Sequence, residues 1–87
     1  MRPNDAHALD SRCFVYLKMN NADAAIPDCN AALAINPNMA SSHSSRGLAE
    51  RMKGDTGAFN ADIAAAKAIQ ANIDSQYAGW GVPVPTP

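Results

Sequence analysis

The chain has 87 residues, 47% of them apolar but only 6% aromatic, and seven Lys and Arg stand against eight Asp and Glu for a formal charge of −1. A domain this short buries about two thirds of its unfolded surface, so its core must be economical, and an alanine-rich chain fits closely packed helices better than a β-sandwich. The near-neutral charge, with no basic run, argues against nucleic acid as a partner.

Taken in chain order, Leu9, Cys13, Tyr16 and Leu17 recur at helical spacing and predict a helix over about residues 5–18. After the Asn20-Asn21 break, Ile26, Cys29 and Leu33 predict a second over about 22–35. Pro37 follows that helix and stops it, whereas Pro27 falls in its second turn, where the missing N–H could cost up to about 3 kcal/mol. With Ile26 and Cys29 facing inward, Pro27 is expected on the outer surface as a tolerated kink. A third helix over about 39–53 ends at the Gly54-Asp55 turn, and a fourth follows over about 57–70. In "NIDSQYAGWG", Ile73, Tyr77 and Trp80 form one stripe at i, i+4 and i+7, predicting a short final helix over about 72–79 that hides the last core face. That role is preferred to an aromatic ligand site around Trp80. The single domain is expected to end near residue 80, leaving 81–87, with its "VPVPTP", as an unordered tail.

The sequence also repeats itself. Ser11-Arg12 recur as Ser45-Arg46, 34 residues on, and at the same offset Asp28 meets Asp62, while Ala31, Ala32 and Ile35 meet Ala65, Ala66 and Ile69. A 34-residue unit of two helices resembles the tetratricopeptide repeat. In the first unit Leu9, Arg12, Cys13, Tyr16, Ala25, Cys29 and Pro37 stand in the places of that family's pattern residues; in the second, His43, Arg46, Gly47, Glu50, Phe59, Ile63 and Ala71 do. The resemblance implies an all-α solenoid of two antiparallel helix pairs, repeats at about 6–39 and 40–73, with His43 partly buried. Phe59 stands where the family has a small residue, so the second pair is expected to splay. Pro3-Asn4 matches Pro37-Asn38, so the chain is expected to be part of something longer, and the first pair to lack an upstream neighbour.

Candidate chemistry is sparse. His7 and His43 lie far apart and at no metal-ligand spacing, Cys13 and His7 do not share a helix face, and "KGDTGAF" lacks the phosphate-loop spacing. No enzyme activity, metal or cofactor is therefore expected. Ser44 and Ser45 read as an exposed helix start. Cys13 and Cys29 have no CxxC spacing and are expected to stay reduced as small apolar residues, a bond between them being the alternative. No leader pattern and no apolar run near the roughly 18 residues of a membrane span occur, so the expected setting is cytoplasmic, with no membrane partner.

By the family resemblance, the first helix of each unit lines a concave groove. His7, Asp10, Phe14, Leu17 and Lys18 would come from the first unit, and Ser41, Ser44, Leu48, Arg51 and Met52 from the second. Asp10, Phe14, Ser44 and Leu48 occupy places where chaperone-tail binders carry Lys, Arg and Asn, so no carboxylate clamp is expected. An apolar floor of Phe14, Leu17, Leu48 and Met52, rimmed by Lys18 and Arg51, implies a partner protein's peptide or amphipathic helix with an acidic flank. The alternative is a homodimer paired through the uncovered face of the first unit.

Overall fold

A computed structural model describes residues 5–85; the expectations for Pro3-Asn4 and for the last two residues of the tail lie outside that range. The described residues form five helices and no strand: α1 (Ala6–Lys18), α2 (Ala22–Ile35), α3 (Ala40–Met52), α4 (Thr56–Ile69) and α5 (Ile73–Gly79). Every predicted helix end falls within one residue of an observed one.

Local chemistry places those ends. The Asp5 carboxylate accepts from the His7 and Ala8 amides at 3.0 and 3.2 Å and starts α1, satisfying donors that have no partner within the helix. Asn21 and Asp55, 34 residues apart, do the same for α2 and α4, accepting from Ala24 and Ala58 at 3.2 and 3.1 Å. Asn20 (φ 59°) ends α1 and Gly54 (φ 86°) ends α3 in the left-handed region. In both, the next amide bonds back five residues to a helix carbonyl, Asn21 to Tyr16 and Asp55 to Glu50, each at 2.9 Å. Gly81 (φ 80°) closes α5 identically, with Val82 donating to Tyr77. Connections this short turn α2 back along α1 and α4 back along α3. Pro27 is exposed and α2 runs through it without a break.

The two pairs repeat each other's contacts. Arg12 grips Asp28 through two hydrogen bonds at 2.5 and 2.7 Å, and Arg46 grips Asp62 at 2.8 Å through each of two. One residue further on, Cys13 and Cys29 are joined as a disulfide with Cα atoms 5.5 Å apart, which overturns the expectation that they stay reduced. The reason is register: both are fully buried at the closest approach of α1 and α2. In the second pair the equivalent places hold Gly47 and Ile63, and a Cβ on Gly47 would lie 3.4 Å from the Ile63 side chain. One gap is bridged by sulfur, the other filled by isoleucine.

That glycine also answers the expectation about Phe59. A Gly47 Cβ would meet Asp62 Cβ at 3.1 Å and the Phe59 carbonyl at 3.3 Å, and Phe59 is 2% exposed, so α3 and α4 are in close contact, not splayed. Helix α3 lies at the centre, packed against all four others. Its small residues allow this, and Ser44 and Ser45, expected at an exposed helix start, are both fully buried. His43 is half-buried as expected. Beyond α5, Val82 and Val84, in the segment expected as an unordered tail, are half-buried against the main core cluster. No helix among the described residues is long and apolar enough to cross a membrane.

Candidate functional site

Asp10, Phe14 and Lys18 succeed one another at four-residue steps along α1 and so share one face. They form one wall of an open cleft of about 520 Å³, with Ser11 and Val15 beside them, Ser41 from α3, and Tyr77 and Trp80 from the C-terminal end. Phe14 meets both aromatic rings nearly edge-on, Tyr77 at 5.5 Å and Trp80 at 5.7 Å between centroids, arrangements favoured by ring quadrupoles. Tyr77 and Trp80 themselves are 5.4 Å apart. Lys18 holds its ammonium 5.7 Å from the Phe14 centroid and donates to the Trp80 carbonyl at 3.4 Å.

A polar network sits behind the rings. Tyr77 donates its hydroxyl to the Ser41 carbonyl at 2.7 Å and accepts from Ser45 Oγ at 2.6 Å. Burial raises the Tyr77 hydroxyl well above its ordinary value; the Ser45 hydrogen bond opposes this and the Asp10 charge adds to it. Asp10 accepts from the Ser41 and Ser42 hydroxyls at 2.8 and 2.7 Å. These groups are occupied with one another. Apolar side chains also face the solvent there, Val15 at 52% and Trp80 at 47% exposure.

Of the residues expected to line a groove, the structure brings Asp10, Phe14, Lys18 and Ser41 together in this cleft. The expected floor does not form: Leu17 and Leu48 belong to the buried core at 5% and 7% exposure, and Ser44 is fully buried in α3, which packs against all four other helices. His7 and Met52 are exposed but do not line the cleft. Arg51 instead sits 5.8 Å over the Phe59 ring. Sequence reasoning missed Ser11, Val15 and Tyr77 as lining residues, and set aside a site around Trp80 in favour of a capping role. The repeat carried no signal for Tyr77 as a lining residue: it lies 34 residues beyond His43, as His43 lies 34 beyond Leu9, and neither of those lines the cleft.

A second polar cluster lies between α3 and α4. Burial alone would raise the Asp62 carboxyl, but hydrogen bonds from Arg46 and from Glu50, with the charges of Arg46 and His43, hold it below its ordinary value. Glu50 goes the other way, pushed up to about 8 by burial, then by its hydrogen bond to Asp62 and that group's charge. Its Oε1 is buried without a partner. His43 Nε2 lies 2.9 Å from the Pro37 carbonyl, and its buried Nδ1 is 3.6 Å from Asp62. Among the described residues no three His, Cys, Asp or Glu side chains are grouped to hold a metal ion. Comparisons with protein-family models, with curated proteins and with solved structures gave no match to this chain.

Proposed function

We propose that this chain is a protein-interaction module of the tetratricopeptide-repeat type, binding a peptide or helix of a partner protein in the cleft between α1 and the C-terminal end. The observation that carries this is the pairing of two half-exposed apolar side chains, Val15 and Trp80, with Phe14 in a mainly apolar cleft. A large apolar anchor entering such a cleft displaces water from both surfaces, the arrangement found at binding hot spots. Lys18 at the rim suits an acidic flank on the partner. Catalysis has little to work with there, since Asp10 and the Tyr77 hydroxyl are committed to internal hydrogen bonds. The repeat type is supported by contacts recurring at a 34-residue offset: Arg12–Asp28 with Arg46–Asp62, and the turns at Asn20 and Gly54. The Cys13–Cys29 bond supports an oxidising compartment, so the cytoplasmic setting loses the argument from reduced thiols.

Selection of a random-peptide display library on the immobilised protein tests the reading. Peptides with an aromatic or branched apolar anchor should be enriched by the wild type and lost with Val15→Glu, while Lys18→Glu should remove any preference for acidic flanks. No enrichment, or the same peptides on all three proteins, would overturn it.

A further inference from the structure

The two helix pairs meet along a stripe that runs down α3. Arg46 donates from Nη1 to Asn30 Oδ1 of α2 at 3.0 Å, Lys53 pairs with Asp23 of α2, and Ala49, between them in sequence, is fully buried. These places succeed one another at i, i+3 and i+7, so they share one helix face, the seat of the preceding pair. Thirty-four residues earlier the same places hold Arg12, Val15 and Met19. Val15 and Met19 are 52% and 63% exposed, and the Arg12 side chain is 45% exposed where that of Arg46 is 24%. Arg12 grips Asp28 as Arg46 grips Asp62, but among the described residues it has no counterpart of the bond to Asn30. The earlier stripe is also the more apolar of the two, with valine for alanine and methionine for lysine. A face left to water favours the opposite change. That opposite change occurs on α4, where the places of Ala22, Ile26 and Leu33 hold Thr56, Asn60 and Lys67, all exposed.

We propose that the Arg12, Val15 and Met19 stripe is the seat of a partner protein's α-helix. That helix sets an Asn, Gln, Asp or Glu oxygen against Arg12 and, two turns away, an apolar side chain against Met19. The spacing is read from α2, whose Asn30 and Asp23 meet Arg46 and Lys53. A second copy of this chain does not fit. On α4 the places of Asn30 and Asp23 hold Ala64 and Gly57, so head-to-tail stacking brings Arg12 no acceptor, and two such stripes face to face carry no side-chain oxygen. The seat shares only Val15 with the cleft and stands whether or not the cleft takes a peptide.

The probe is a hydrocarbon-stapled, fluorescently labelled peptide of residues 20–38 carrying Cys29→Ser and Asp23→Leu, titrated into the full chain by polarisation. Two further peptides retain Asp23 or add Asn30→Ala. The first peptide is expected to bind about tenfold more tightly than either of these. In the protein, Met19→Glu should abolish that binding, Met19→Leu should keep it, and Trp80→Ala should leave it unchanged, with circular dichroism checking each fold. Met19 is exposed and lies past the end of α1, and the peptide variants test the same contacts without altering the protein. No binding, equal binding of the three peptides, or binding that survives Met19→Glu would overturn the seat. Loss with Trp80→Ala in place of Met19→Glu would put the helix in the cleft, overturning the seat and upholding the role proposed above. Sedimentation of the chain alone completes the test: a dimer broken by Met19→Glu would give the stripe to a second copy and overturn the proposal.

Discussion

At the scale of single residues, most of the informative positions are small or buried side chains where an ordinary one was to be expected. Glu50 holds its proton to about pH 8 because burial and the neighbouring Asp62 disfavour its charge. Its folded value lies above its ordinary 4.5, so the folded state binds more protons than the unfolded one between the two, and stability falls as pH rises through that window. Glu50→Gln should therefore flatten the loss of stability from about pH 5 to 8 and leave the protein more stable than wild type at pH 9, by urea denaturation at each pH. An unchanged slope would mean that Glu50 is charged throughout. Two glycines make a second prediction of opposite signs. Gly47→Ala puts a methyl 3.1 Å from Asp62 Cβ and 3.3 Å from a backbone carbonyl that cannot step aside. Overpacking of about 1–3 kcal/mol then outweighs the helix-propensity gain of up to about 1 kcal/mol. Gly57, in the first turn of α4, has nothing closer than 3.9 Å, so Gly57→Ala should stabilise by about 0.5 kcal/mol. Denaturation midpoints moving in the same direction would sink the argument.

At the scale of elements, caps set where the helices begin and end, while α5 is held by its side chains. Seven residues make too short a helix to persist alone. Ile73 and Tyr77, at 1% and 0% exposure, anchor it, and the Tyr77 hydroxyl bridges Ser45 and the Ser41 carbonyl. Tyr77→Phe keeps the ring but leaves the buried Ser45 hydroxyl without that partner, a loss of about 1–3 kcal/mol. Its effect should be local: amide exchange across residues 73–79 should speed up more than in α1 or α3. Uniform acceleration would show that α5 opens only when the whole domain does.

At the scale of the whole molecule, the disulfide is the largest single constraint on the unfolded chain. It closes a loop of 16 residues, for which chain entropy gives about 3 kcal/mol. In a domain of this size that corresponds to a melting temperature lower by roughly 12–24 °C once the bond is absent. Thermal melts with and without a reductant, and of Cys13→Ala/Cys29→Ala, should show it; coincident melts would assign the stability to helix packing instead. The binding role also belongs at this scale, because the cleft is made by α1, by Ser41 of α3 and by the C-terminal end, which lie far apart in sequence.

The sequence alone determined the five helices, their ends and the 34-residue repeat, because those depend on neighbours within one or two turns: capping by Asn21 and Asp55, left-handed turns at Asn20 and Gly54, apolar side chains at helical spacing. The resemblance to the tetratricopeptide repeat also put Asp10, Phe14 and Lys18 among the lining residues, and their four-residue steps along α1 do set them on one face. Only the tertiary structure decided which members of that face remain accessible. Leu17, Ser44 and Leu48 were expected to line the groove but are enclosed, because α3 packs against all four other helices, and Leu17 and Leu48 join the main core cluster that Val82 and Val84 also reach from the far end of the chain. The disulfide was decided there too: 16 residues of sequence do not say that two helices bring Cys13 and Cys29 to the one register where their Cα atoms are 5.5 Å apart. Trp80 and Val15 became candidate anchors for the same reason, since exposure is a property of what the rest of the fold leaves uncovered, which no local pattern encodes.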